Sequence, residues 1–159
     1  MKGLYLDDIA IGCEETLGSH HFTREAVMKF ARRYDPQPFH LDDAAAARSH
    51  FGALCASGWH TAAAWMKCYV DFNARHRKER AERGERLPEI GPSPGFENLK
   101  WLKPVYPDDV VTYICRMTDK RALKSRPGWG LLASANRGFN QKGELVFSFD
   151  GKVLVQLRR

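Results

Sequence analysis

The 159-residue chain has no apolar run approaching the ~20 residues that a membrane-spanning helix needs. It also lacks a Cys-x-x-Cys pair, because Cys13, Cys55, Cys68 and Cys115 are widely spaced. Free thiols, mostly acting as small buried hydrophobes, are therefore expected, which argues against a disulfide framework and against a structural zinc site. No Gly-x-Ser-x-Gly elbow is present, and Gly128-Trp129-Gly130 lacks the helix that a phosphate-cradling loop must feed. Internal repeats, low-complexity tracts and an interdomain linker are missing too, so one domain over 1–159 is expected. The first residues, Met1 to Glu15, carry acids where a secretory peptide would carry its apolar stretch, so a soluble, cytoplasmic protein is the expectation.

The hydrophobic fraction is 43%, which suits a folded globule. The net charge of +6 invites a nucleic-acid reading, but its distribution opposes one. Much of the excess lies between Arg75 and Arg83, where Glu79 and Glu82 are interleaved, the pattern of a solvated helix face laced with i,i+4 ion pairs. A modest positive field also suits a polyanionic small substrate.

Residues 23–34 read as a helix capped by Thr23, with Val27, Phe30, Ala31 and Tyr34 on one face. Pro36 ends it by forcing Asp35 out of helical geometry, which makes 35–40 a stiff extended loop. Asp42 or Asp43 caps a short helix over Ala44 to Arg48. From Trp59 to Phe72 nearly every side is apolar, the mark of a buried helix, and Ala56-Ser57-Gly58 supplies its start. Residues 73–94 read as a charged helical extension and loop; with so little apolar area, replacing 75–95 by a short flexible loop is expected to cost little stability. The period then changes to two: 110–117 is a strand with Val111, Tyr113, Cys115 and Met117 on one face. Two more strands, 129–139 and 145–157, meet at the turn Asn140-Gln141-Lys142-Gly143. Trp101-Leu102 belongs to another strand, and His20-His21 to one near the N-terminus. The layout is α+β, with an antiparallel sheet wrapped around one long central helix.

Asp35 and His40 share a proline-stiffened loop, where a carboxylate and an imidazole can hold a water or exchange a proton with a substrate carbon. Spacing alone leaves a plainer alternative open, a turn-forming Asp and a satisfied polar His. Gly58 offers a backbone N–H at the positive end of the helix dipole, where an oxyanion would be stabilised; Ser57-Gly58 as a mere cap is the alternative. His20, His21, His50 and His60 have no neighbours at metal-ligand spacing, so no metal site is expected.

Tyr34-Asp35-Pro36-Gln37-Pro38-Phe39-His40-Leu41-Asp42, followed by Ala45, Ser49, Phe51-Gly52 and Ala56-Ser57-Gly58, resembles the MaoC-like, (R)-specific enoyl-CoA hydratase family. The pattern there is Asp-x-Asn-Pro-x-His and, some eighteen residues on, Ala-His-Gly; Leu102-Lys103-Pro104-Val105 and Asp108-Asp109 look like its second half. The resemblance implies a hotdog fold and at least a homodimer, while the charge distribution and the lack of a long apolar run lead to the expectation of no nucleic-acid or membrane partner. It also implies reversible hydration of a trans-2-enoyl-CoA to a (3R)-hydroxyacyl-CoA. Asp35, as principal base, and His40 would activate the water, and the Gly58 amide would form the oxyanion hole. Gln37, Phe39, Ser57 and Trp59 would contact the substrate. Arg126, in the basic turn with Lys120, Arg121 and Lys124, would meet the coenzyme A phosphates, a solvated turn being the alternative. No cofactor is implied beyond the coenzyme A of the substrate, because the thioester already acidifies the α-carbon. Two positions depart from the pattern: Gln37 stands for Asn and Ser57 for His. A non-catalytic acyl-CoA-binding hotdog protein and a hotdog thioesterase remain as alternatives, though for the latter the central helix offers only Asp71 as a carboxylate.

Overall fold

A computed structural model describes residues 2–158. One antiparallel sheet contains β1 (Glu14–His21), β2 (Gly95–Trp101), β3 (Val110–Ala122), β4 (Trp129–Phe139) and β5 (Leu145–Gln156), in the order β1-β3-β4-β5-β2. Between β1 and β2 the chain forms α1 (Arg24–Tyr34), α2 (Asp43–Ala47) and α3 (Gly58–Glu82). Thr61, Ala64, Trp65, Cys68 and Phe72 of α3 are buried, and Ala64, Trp65, Cys68 and Phe72 share one core with Val111, Tyr113, Cys115 and Met117 of β3. This is the expected hotdog fold.

Local chemistry accounts for most of the boundaries. Thr23 caps α1 through its hydroxyl, which accepts from the Ala26 N–H, and Asp42 caps α2 by accepting from the Ala45 N–H. In the β4–β5 hairpin Gly143 sits at φ +75°, a conformation that favours glycine, and the Asn140 side-chain oxygen accepts from the N–H groups of Lys142 and Glu144. The β3 strand runs on to Ala122, past the expected Met117. At its far end the Lys120 ammonium donates to the carbonyls of Leu6 (3.2 Å), Asp7 (2.8 Å) and Ile9 (2.7 Å) and stitches the N-terminal turn to the sheet.

Three expectations change. Tyr34 is 61% exposed, so the packed face of α1 is narrower than its apolar pattern suggests. The α3 helix is not enclosed on every side either: Trp59, Met66 and Val70 are about half exposed at 53%, 51% and 52%. One sheet covers only one side of a helix, and the opposite apolar stripe is left over. The third change concerns 75–95. Past the end of α3, the Gly91 N–H donates to the Leu154 carbonyl (2.8 Å), the Leu154 N–H to Pro92 (3.2 Å) and the Gln156 N–H to Glu89 (3.3 Å). Pro88 is fully buried, and its carbonyl accepts from the Arg77 guanidinium at 2.9 Å. The segment therefore continues the sheet beyond β2 along the edge of β5. Replacing it would orphan those backbone groups, so the loop is not the inexpensive one its charge suggested. Among the described residues, no helix is long and apolar enough to cross a membrane.

Candidate active site

The loop after α1 turns sharply because Asp35, its C-cap residue, leaves helical geometry at φ −153°, ψ 68°. Gln37 is extended as expected, but Pro38 opens a single 3-10 turn, Pro38–His40, with its fixed φ suited to a helix start. That turn swings His40 inward until it is 4% exposed. Opposite, the segment before α3 is pinned where the Ala56 N–H donates to the Val105 carbonyl at 2.8 Å. The first turn of α3 is tied to the sheet by the Tyr113 hydroxyl, which donates to the Thr61 carbonyl at 2.8 Å.

These two supports bring the loop and the helix start together across a cleft of about 480 Å³. The Ser57 hydroxyl donates to Asp35 Oδ2 at 2.7 Å, and the Gln37 amide donates to Asp35 Oδ1 at 2.8 Å. Asp35 Oδ2 also lies 3.4 Å from His40 Nε2. On its other side His40 Nδ1 is 2.7 Å from the Cys55 carbonyl. A carbonyl only accepts, so Nδ1 carries the hydrogen, and Nε2 of the neutral ring presents a lone pair toward Asp35. Two acceptors 3.4 Å apart do not bond each other, but a water donating one hydrogen to each would bridge them. Burial works to raise the Asp35 pKa, yet the hydrogen bonds from Ser57 and Gln37, and the charge of His40 whenever that ring is protonated, hold the carboxyl below its ordinary range. Cys55 lies in the same wall with its thiol pushed up to about 11, by burial first and by Asp35 second, which makes it an inert thiol.

Gly58 faces the same cleft as the first residue of α3, and its N–H finds no acceptor among the described residues. A Cβ there would meet the Trp101 indole at 2.5 Å, so only glycine allows that ring to lie against the helix start. The Trp101 ring N–H donates to the Gly58 carbonyl at 2.8 Å, and the ring packs edge-on against Trp59 with centroids 5.2 Å apart. Trp59 separates the cleft from an apolar cavity of about 210 Å³ between α3 and the sheet, whose walls include Trp65, Met66, Phe96 and Phe149.

The structure thus gathers Asp35, Gln37, Phe39, His40, Gly58 and Trp59 around one cleft, with Ser57 directly behind it on Asp35. Phe39 packs edge-on to His40 at 4.5 Å. The Gln37 amide nitrogen and the Ser57 hydroxyl are both engaged by Asp35. Arg126 stands apart. It stacks over Trp129 at 4.4 Å from the ring centroid. The β4 strand carries the chain ~30 Å from Trp129 to Gly138, which pairs with Tyr113 beneath the cleft. Within this chain Arg126 does not reach the cleft. Sequence reasoning missed Trp101 and the Cys55 carbonyl; the only signal was the aromatic two residues before the Lys103-Pro104-Val105 stretch.

Among the described residues no group of three or more His, Cys, Asp or Glu side chains converges on a common point. His60 is a packed histidine, 7% exposed, stacked on Phe30 at 4.6 Å and edge-on to Phe22 at 4.9 Å. Burial, and then His20, pushes its pKa down to about 4. The unfolded chain therefore binds a proton near pH 6.5 that the folded chain refuses until about 4. Stability from this group is complete above pH 6.5 and declines as pH falls toward 4. Thermal melts across that window should lose midpoint more steeply in the wild type than in His60→Phe; parallel curves would contradict the assignment.

The sequence profile of the MaoC like domain matches residues 14–128. The uncharacterised protein YdeM of Bacillus subtilis (strain 168) is 28% identical over 151 residues, 95% of this chain and 98% of that protein. The crystal structure of a MaoC-like dehydratase from Rhodospirillum rubrum superposes with a TM-score of 0.81 at 34% identity, covering 98% of this chain and 99% of that one. An (R)-hydratase from A. caviae involved in PHA biosynthesis has the same fold, with a TM-score of 0.62 at 23% identity over 95% of this chain and 98% of its own.

Proposed function

The chain belongs to the MaoC-like dehydratase family, and on that basis we propose that it is an acyl-thioester hydratase/dehydratase, adding water reversibly to a trans-2-enoyl-CoA to give a (3R)-hydroxyacyl-CoA. The observation that carries this reading is the shared cleft. Asp35 Oδ2 and His40 Nε2 lie 3.4 Å apart in the wall of a cleft where one water could bond to both, and Gly58, whose N–H has no acceptor among the described residues, lines the same cleft. Hydration of a conjugated thioester needs these two groups. A water must be oriented and relieved of a proton at C3, and negative charge must be met on the thioester oxygen as the enolate forms. The helix dipole adds to the second task, because Gly58 opens a 25-residue helix. The apolar cavity behind Trp59 has the lining expected for an acyl tail. Asp71, the helix carboxylate a thioesterase would call on, is exposed, bonded to Lys67 and away from this cleft.

Incubating the protein with short, long and branched enoyl-CoAs, and following loss of the conjugated-thioester absorbance, tests the reaction. Turnover of at least one supports it. Binding of saturated acyl-CoA without any turnover would replace the enzyme by a binding module.

The working form is a homo-oligomer, at least a dimer. The β2 strand is an edge strand with Phe96 55% and Trp101 45% exposed, beside the half-exposed stripe of α3. An unpaired edge next to an apolar helix face is the kind of surface a second copy covers. Light scattering should report a mass at least twice 18.1 kDa at micromolar concentration; a stable monomer would refute it.

A further inference from the structure

The two positions that depart from the family pattern, Gln37 and Ser57, are the two that bind the Asp35 carboxylate. We infer that Gln37 and Ser57 are the positioning residues of this site: they grip Asp35 by both oxygens, so that the carboxylate orients the water while His40 Nε2 takes its proton. The inference rests on the hydratase reading above and assigns the proton within it.

The geometry supports this division of labour from both sides. Asp35 Oδ1 is occupied by the Gln37 amide at 2.8 Å, and Oδ2 accepts from the Ser57 hydroxyl at 2.7 Å. Ser57 Oγ in turn accepts from the Trp59 N–H at 3.2 Å, so a chain of hydrogen bonds runs from the positive end of α3 to Asp35. Donors of this kind favour the ionised carboxylate and make it a poor proton acceptor. On His40 the arrangement is the reverse. The Cys55 carbonyl fixes the hydrogen on Nδ1 and leaves Nε2 with a free lone pair, and the Asp35 anion 3.4 Å away stabilises the imidazolium once it forms.

In the hydration step the oxygen lone pair of water forms the C3–O bond as its O–H bond breaks, and that proton goes to His40 Nε2. The C2=C3 π pair moves to the C1–C2 bond, and the carbonyl π pair moves to the thioester oxygen at the Gly58 N–H. As the enolate collapses, C2 takes a proton back from the imidazolium, so one water is added and the imidazole ends neutral. Neither family-divergent side chain touches the acyl group in this scheme, and both are recast from substrate contacts to holders of Asp35.

Gln37 is exposed and Gln37→Glu is isosteric, so that variant is expected to fold; it replaces a donor to Asp35 with a second negative charge. Ser57→Ala removes the other donor along with a helix cap. The full chain, labelled with carboxyl-13C aspartate and ring-15N histidine, reports on both partners without any turnover, with Asp35→Asn identifying the Asp35 signal. The expected result is an Asp35 carboxyl that titrates at higher pH in Gln37→Glu and in Ser57→Ala than in wild type, and a neutral His40 bearing its hydrogen on Nδ1. In enoyl-CoA turnover kcat should fall roughly 10- to 100-fold in Ser57→Ala, the loss expected for one hydrogen bond to a charged group, with KM unchanged. A lost cap alone would lower the melting temperature and move neither the titration nor kcat. An Asp35 titration identical in all three proteins, or a His40 hydrogen on Nε2, overturns the inference. If both spectroscopic signatures appear and the wild type hydrates no enoyl-CoA, the positioning chain stands and the hydratase reading falls.

Discussion

Replacing Asp35 by Asn is expected to lower enoyl-CoA hydration about 10²–10⁴-fold, with the fold and the binding of a saturated acyl-CoA nearly intact. Asparagine keeps the shape of aspartate, and its oxygen can still accept from Ser57 or Gln37, so the loop should hold. What vanishes is the anion that orients the water and stabilises a protonated His40. An amide nitrogen turned toward His40 would also occupy the Nε2 lone pair that the water needs. His40→Gln should be comparably damaging, because the water loses its other anchor. The measurement pairs turnover with binding by calorimetry in wild type and both variants. Turnover of Asp35→Asn at the wild-type rate would end the proposed mechanism whatever the fold.

The second large effect is expected at Gly58, where two substitutions separate space from hydrogen bonding. In both Gly58→Ala and Gly58→Pro the new Cβ meets the Trp101 ring, at 2.5 Å before any relaxation, so Trp101 must shift in each. Only proline also removes the N–H. Position 58 is the first residue of α3, where proline is well tolerated, and Ser57 at φ −55°, ψ 139° already has the extended geometry that a residue before proline requires. Gly58→Pro should therefore fold about as well as Gly58→Ala yet be slower in kcat by roughly a further 10²–10³-fold, the loss typical of one oxyanion donor. Equal rates in the two variants would mean that the Gly58 amide does not meet the developing charge.

Much of this architecture was legible in residue types and their spacing. The alternation of Val111, Tyr113, Cys115 and Met117 announced β3, and all four are buried on one face. Thr23 and Ser57 marked two helix starts, and each accepts a backbone N–H there. The Asp35-to-His40 loop stood out because two prolines and two titratable residues share six positions, and in the structure its carboxylate and imidazole do face each other. Less legible were features that depend on what covers an element. The apolar circumference of α3 pointed to complete burial, whereas the single sheet leaves Trp59, Met66 and Val70 half exposed. The charge of 75–95 pointed to a detached loop, yet backbone bonds to Leu154 and Gln156, which any residue can make, hold it on the sheet edge.

Helix and strand positions, the caps, the hairpin turn and the Asp–His loop follow from the chain alone because periodicity and capping involve neighbours a few residues apart. The working geometry of the cleft does not, because its contacts join distant segments. Trp101 reaches the Gly58 carbonyl across 43 positions, Ser57 reaches Asp35 across 22, and the Cys55 carbonyl meets His40 across 15. Which nitrogen of His40 keeps its hydrogen, which donors hold Asp35, and that Arg126 ends far from both were decided when the sheet closed on α3 and brought those atoms within, or beyond, hydrogen-bonding range.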